Sequence, residues 1–282
     1  MTTSPRISFH DGRSIPQLGY GVWQVANEVA ADVVVKALEA GYRHVDTARG
    51  YNNEAGVGQA LETAGLDRDD VFVTSKVPNQ DQGRDATLRS FDGTLADLGL
   101  EELDLYLIHR PAPSQGLAVE TWKTLAELQE QGRIRSIGVS NFRIEDLEKI
   151  EAETGVLPVL NQIELHPYFH QPELREFHAS KGIVTESWSP LGQGGGELTD
   201  PVVTAIAEAH GADAGQVLIA WNLALGNVVI PKSETPQRIV SNFASLEVQL
   251  TEDEVAQITA LHKGDAGRQG GNPNDFAGRQ GA

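Results

Sequence analysis

Four residues in this chain carry side chains that together can deliver a proton to a substrate: Asp46, Tyr51, Lys76 and His109. Asp46 and Tyr51 share one stretch, Val-Asp-Thr-Ala-Arg-Gly-Tyr-Asn-Asn-Glu, over residues 45–54. A phenol has an ordinary pKa of about 10 and is a poor acid at neutral pH unless a nearby positive charge stabilises the phenolate. Lys76 can supply that charge. A buried Asp46 would pair with Lys76, because an unpaired charge out of water is costly. On this reading Lys76 lowers the pKa of Tyr51 and makes it a general acid for a carbonyl oxygen. A neutral His109 would hydrogen-bond to that oxygen and orient it. Taken singly, a lysine or histidine at a strand end is more often a structural group, and Asp46 with Lys76 could be only a buried ion pair. The four together, on consecutive strand ends, point to chemistry.

The elements that must position these residues alternate along the chain. Residues 6–16 read as a hairpin around Asp11-Gly12, a strong turn pair, and residues 19–23 as a short strand. Strand patterns follow at residues 44–46, 71–76, 103–109, 134–139, 159–164, 183–188 and 228–230. Helical periodicity covers residues 28–40, 54–64, 84–98, 118–131, 144–154, 172–180, 202–210, 217–225 and 236–243. The strands are short, apolar and rich in β-branched residues, as when both faces are buried. Such alternation predicts a parallel sheet. About eight units predict an α/β fold of the (β/α)8 TIM-barrel type, whose chemistry sits at the C-terminal strand ends. Neighbouring strands lie about 4.8 Å apart, so Asp46, Lys76 and His109 become neighbours with Tyr51 above them. A doubly wound open sheet is the structural competitor, but its glycine fingerprint is missing: Gly56-Val-Gly58 lies inside a helical pattern and lacks the third glycine.

Composition sets the remaining bounds. The chain has 282 residues, is 40% hydrophobic and 22% charged, and so reads as one globular domain, residues 1–282, with a core over 6–264. From residue 265 the polar, Gly-rich tail cannot pack alone; it is expected to be disordered or to lie as a C-terminal loop over the active-site face. A net charge of −18 argues against nucleic acid and anionic membranes as partners, and fits either a solubility-favouring surface or adaptation to salt. There is no cysteine, so disulfides, zinc-thiolate sites and thiol nucleophiles are excluded; separately, no metal is expected among the cofactors. No signal peptide or spanning run is visible. A cytoplasmic monomer acting on a small carbonyl compound is the expectation.

The residues also carry a resemblance. Gly41-Tyr-Arg-His-Val-Asp-Thr-Ala, Tyr51 with Asn53-Glu54, Lys76, Asp104-Leu-Tyr-Leu-Ile-His109, Ser136-Ile-Gly-Val-Ser-Asn-Phe142, Asn161-Gln-Ile-Glu-Leu-His-Pro167, Ser189-Pro-Leu-Gly192 and Pro231-Lys-Ser233 are similar to motifs of the aldo-keto reductase family. They come closest to its bacterial 2,5-diketo-D-gluconate-reductase-like branch and span residues 6–264. The resemblance implies a (β/α)8 barrel that reduces small aldehydes or ketones (keto-sugars, dicarbonyls, keto acids) with NADPH, or more weakly with NADH. It places Tyr51 as the acid, Lys76 and Asp46 as its tuning pair, and His109 as the carbonyl-orienting group. Ser140, Asn141 and Gln162 match positions that bind the nicotinamide amide, and Trp188 the ring that stacks on it. Ser189, Leu191 and Gly192 match the pyrophosphate loop. Lys232, Ser233, Thr235 and Arg238 match the 2′-phosphate site, and Asn242 an adenine contact. Trp23, His109 and Arg110 match the substrate pocket.

Some positions depart from the family pattern. Glu234 stands where a neutral residue is usual and would weaken the preference for NADPH if it faced the phosphate. Ser241 replaces a common Glu in the adenosine region. Pro78 and Arg110 replace pocket tryptophans, and Arg110 could receive a carboxylate or form a surface ion pair. Two other readings stay open from sequence: a nicotinamide-binding sensor or scaffold on the same fold, and a barrel lyase or glycosidase using Lys76 or Asp46. Oxidation of NADPH by an added aldehyde separates all three.

Overall fold

The computed structural model describes residues 3–273. Strands β1 (Arg6–Ser8) and β2 (Ser14–Pro16) pair antiparallel, with Ile7 opposite Ile15, and Gly12 takes a left-handed φ of 86° in the turn. Asp11 in that turn accepts from Ser136 Oγ at 2.7 Å, which docks the hairpin on the barrel wall. Phe9 and Ile15 pack with Phe72, Leu105, Leu160 and Val228, so the hairpin plugs the end where the strands begin.

The parallel strands β3 (Tyr20–Gly21), β4 (His44–Asp46), β5 (Phe72–Val77), β6 (Leu103–Ile108), β7 (Ile134–Ser140), β8 (Leu160–Glu164), β9 (Val184–Trp188) and β10 (Val228–Val229) each neighbour the next in sequence. The sheet then closes on itself. Leu18 bridges Val229 in parallel, and Gly19 N donates to Val229 O at 2.9 Å. A sequential order that closes is a barrel, which removes the doubly wound alternative. The β5 and β6 strands are buried at every residue, as a sheet covered on both faces requires.

Helices α1 (Asn27–Ala40), α2 (Glu54–Thr63), α3 (Arg84–Leu98), α4 (Ala118–Glu130), α5 (Ile144–Thr154), α6 (Pro172–Lys181), α7 (Pro201–His210), α8 (Ala214–Ala224), α9 (Pro236–Ala244) and α10 (Glu252–Thr259) surround the strands. Gly41 ends α1 with a φ of 116° and carries no Cβ because Phe243 Cε1 would lie 2.6 Å from it. Gly58 lies in α2, where a Cβ would come within 2.6 Å of Asp97 O at the end of α3. That glycine serves close helix packing and not phosphate binding.

Two differences from expectation have local causes. Helix α8 begins at Ala214, before residue 217, because Asp213 caps it by accepting from Gln216 N at 2.9 Å. Helix α10 was not foreseen from periodicity. Its start is written in a capping box: Thr251 Oγ1 accepts from Glu254 N, and Glu254 Oε2 accepts from Thr251 N at 2.8 Å. Among the described residues no helix is long and apolar enough to cross a membrane. Of the tail that begins at residue 265, residues 274–282 lie outside the described residues.

Candidate active site

Tyr51 ends a single 3-10 turn, Arg49–Tyr51, between β4 and α2. That turn is held from beneath by Asn53, which is fully buried. Asn53 Nδ2 donates to Val22 O and Val25 O at 2.8 and 2.9 Å, and Asn53 Oδ1 accepts from Thr47 Oγ1 at 2.8 Å. Buried Glu54 accepts from Ser75 Oγ at 2.5 Å, which ties the start of α2 to β5. The chain that carries Tyr51 is thus fixed to three neighbouring segments. Such anchoring fixes where the Tyr51 hydroxyl stands.

The four residues do converge. Lys76 Nζ lies 2.6 Å from Asp46 Oδ1, 3.4 Å from Tyr51 Oη and 2.8 Å from Thr47 O. The rings of Tyr51 and His109 stand edge to face, 5.6 Å between centroids. His109 sits one residue beyond β6, with its backbone N donating to Val77 O at 3.1 Å. Burial alone would drive the Lys76 pKa down, but Asp46, Tyr51 and Glu186 hold it above its ordinary value. The ammonium therefore stays charged. Burial and the positive charges of Lys76 and Arg110 push His109 well below the usual imidazole range, so its ring is neutral at physiological pH.

One expectation is corrected. Lys76 was to lower the pKa of Tyr51, and it does pull in that direction, but burial outweighs it and the phenol ends above its ordinary value. Desolvation of the phenolate costs more than one ammonium at 3.4 Å returns. Tyr51 is accordingly a protonated phenol in this site.

Beneath the tetrad lies a floor that the sequence did not disclose. Gln162 Nε2 donates to Asp46 Oδ2 at 2.8 Å and to Glu186 Oε2 at 2.7 Å. Gln162 and Glu186 face each other in the β8–β9 register. Glu186 is fully buried, and burial followed by the charge of Asp46 pushes its pKa up to about 8. Its carboxyl is therefore mostly protonated at neutral pH. The clue available in sequence was an acidic residue inside an apolar strand, which is rarely left without a partner.

The residues matched to cofactor binding fall in two groups. The first lies at the ends of β7 to β9. Ser140 Oγ donates to Gln162 O at 3.0 Å, and Asn141, at a left-handed φ of 61°, donates from Nδ2 to His109 O at 3.0 Å. Trp188 Nε1 donates to Asn141 Oδ1 at 3.0 Å. Ser189 is left-handed (φ 54°), Leu191 is half-buried and Gly192 is buried at a φ of 71°. The second group surrounds the start of α9. Ser233 and Asn242 are buried, whereas Thr235 and Arg238 are exposed. Lys232 Nζ is paired with Glu234 Oε1 at 2.6 Å. Ser241 donates to Asp213.

Of the residues matched to substrate, Trp23 is 40% exposed just beyond β3. Arg110 is half-buried; burial lowers its pKa, and the charges of Tyr51 and Glu164 act against that. Its backbone carbonyl accepts from Gln82 Nε2 at 2.8 Å. The tail crosses this face as far as it is described. Gln269 N and Gly270 N donate to Glu164 at 2.6 and 2.9 Å, and Gly270 packs on the Trp188 indole.

Comparison with known proteins agrees with this geometry. The chain matches the aldo/keto reductase family over residues 17–263. It is 52% identical over 273 residues to an aldo-keto reductase of Mycolicibacterium smegmatis, covering 97% of this chain and 98% of that protein. It is 46% identical over 275 residues to methylglyoxal reductase DkgA of Escherichia coli strain K12, covering 96% and 98%. Among solved structures, a Gox0644 mutant in complex with NADPH matches with a TM-score of 0.93 and 48% identity, covering 98% of this chain and 99% of that one. With these matches and the closed barrel, the chain belongs to the aldo/keto reductase family.

Proposed function

We propose that this chain reduces small aldehydes and ketones, dicarbonyls and keto acids among them, with NADPH as the hydride donor and Tyr51 as the general acid. The observation that carries the proposal is the continuous contact from Asp46 through Lys76 to the Tyr51 hydroxyl, at 2.6 and 3.4 Å, on the strand-end face of the barrel. The resemblance to an NADPH-bound structure and to a methylglyoxal reductase supports it.

When bound, the reduced nicotinamide supplies hydride to the carbonyl carbon. The chain's own residues do the rest. Neutral His109 can donate to the carbonyl oxygen and fix its position. Tyr51, kept protonated by burial, passes its proton to that oxygen as negative charge develops there. Lys76 then stabilises the phenolate left behind, and Asp46 holds Lys76 in place and charged. The residues present fit the cofactor. Gln162 spends its amide N–H groups on Asp46 and Glu186, so its carbonyl oxygen is the group left for a nicotinamide amide. Trp188, held by Asn141, offers an aromatic face. Lys232 and Arg238 beside the α9 N-terminus can meet a phosphate against the −18 background. We read residues 1–282 as one functional unit.

Tyr51→Phe tests the reading. It is expected to cut turnover by roughly 10²–10⁴, the contribution of a general acid. The NADPH dissociation constant, read by fluorescence titration, is expected to stay at its wild-type value. Near-normal turnover in Tyr51→Phe would remove Tyr51 from the mechanism.

A further inference from the structure

Glu186 is a fully buried acid inside a barrel strand, and the proton transfer leaves it unused. Lys76 Nζ is spent on Asp46, Thr47 O and the Tyr51 hydroxyl. Among the described residues the Glu186 carboxyl takes part in one hydrogen bond: its Oε2 accepts from Gln162 Nε2 at 2.7 Å. Its Oε1 makes none, and His44 Nε2 stands 3.7 Å from it. The carboxyl, mostly protonated at neutral pH, therefore carries its proton on Oε1. An apolar residue would fill this place without the cost of desolvating an acid. What Glu186 contributes to the site thus passes through the Gln162 amide.

Gln162 and Glu186 stand opposite each other in the parallel strands β8 and β9. The Gln162 backbone carbonyl accepts from Ser140 Oγ at 3.0 Å and from Asn141 N at 2.8 Å, so the three residues matched to the nicotinamide amide meet here. Its side chain reaches across the barrel floor to Asp46 Oδ2 at 2.8 Å. The terminal torsion of a glutamine is broad, and both N–H bonds lie in the amide plane. One acceptor fixes one N–H and leaves the plane free to turn about it. A second acceptor, on the neighbouring strand, fixes the plane. With both N–H groups directed at the two carboxyls, the amide oxygen is turned away from them.

We propose that Glu186 is a positioning residue for the cofactor: as the second acceptor it locks the plane of the Gln162 amide, and so aims the Gln162 oxygen at the N–H group of the nicotinamide carboxamide. The proposal rests on the reading of Gln162 as the nicotinamide contact. Asp46, needed to hold Lys76, anchors that amide at one point, and Glu186 supplies the other.

Full-length variants and two cofactors test it. The variants are Glu186→Met, Glu186→Gln, Gln162→Met and the combination of Glu186→Met with Gln162→Met. The cofactors are NADPH and its reduced 3-acetylpyridine analogue, in which a methyl ketone replaces the carboxamide and offers no N–H to Gln162. Dissociation constants at neutral pH are read by quenching of tryptophan fluorescence. Wild type is expected to prefer NADPH over the analogue by about three- to tenfold, the worth of one hydrogen bond. Glu186→Met is expected to lose most of that preference by weakening NADPH alone. Glu186→Gln, whose amide oxygen still accepts from Gln162, is expected to keep it. Adding Glu186→Met to Gln162→Met is expected to change the ratio no further, since both residues act through one amide. Glu186→Leu gives the same comparison should Glu186→Met fail to fold. An undiminished preference in Glu186→Met would overturn the proposal. Equal weakening of both cofactors would also overturn it and leave Glu186 a structural role. If wild type and Gln162→Met bind the two cofactors with the same ratio, the reading of Gln162 falls, and this proposal with it. A wild-type chain that binds no NADPH would instead overturn the proposed function itself.

Discussion

Replacing Glu186 with Gln separates the electrostatics of the barrel floor from its packing. Glu186 is fully buried, and its folded pKa stands at about 8 against an ordinary 4.5. Its neighbours explain why the shift is not relieved. Asp46 adds negative charge through the shared Gln162 amide. His44, 3.7 Å away, is held neutral because burial and then Lys76 lower its pKa to about 3. Between pH 4.5 and about 8 the folded chain therefore holds one proton that the unfolded chain has released. Stability must fall as pH rises through that window, by roughly 1.4 kcal/mol per pH unit, which amounts to about 4–5 kcal/mol across it. Below the window the contribution is fully present; above it, the loss is complete. Glu186→Gln cannot titrate, and its amide oxygen can still accept from Gln162. The assay is urea unfolding of both proteins from about pH 5 to about pH 9, with the stability difference plotted against pH. The variant is expected to gain on the wild type by roughly 1.4 kcal/mol per pH unit up to about pH 8, and no further above it. Parallel curves would refute the reasoning and show that Glu186 is ionised throughout.

Arg110→Trp replaces a half-buried guanidinium near Tyr51 and Glu164 with an apolar wall. The ratio of kcat/KM for a keto acid to that for a neutral aromatic aldehyde is expected to fall by about 1–3 kcal/mol in differential binding; an unchanged ratio would place Arg110 outside the substrate pocket. Glu234→Gln frees Lys232 from its partner at 2.6 Å. Because both side chains are partly exposed, the NADPH-over-NADH ratio of kcat/KM is expected to rise only about two- to fivefold, and an unchanged ratio would show that Lys232 does not meet the 2′-phosphate.

Much of the site was legible in the chain. Asp46, Lys76 and His109 end three consecutive strand patterns, and strand–helix alternation in this number closes a barrel whose strand ends share one face. The motifs around them, from Tyr51 to Pro231-Lys-Ser233, carry the pattern of the family to which the chain belongs. Helix α10 was equally written, in Thr251 and Glu254, though no apolar stripe announced it. What the tertiary structure alone decided has one physical source. In strands buried on both faces no alternation of polar and apolar residues marks the side that points inward, so nothing in residues 183–188 said that Glu186 would meet Gln162 and Asp46. Likewise Glu164, His166, Glu197 and Gly270 meet only because three separate segments return to one place. The sign of the Tyr51 shift was of the same kind. The sequence supplied the lysine that favours the phenolate, but the burial that opposes it is a property of the assembled site, and burial proved the larger.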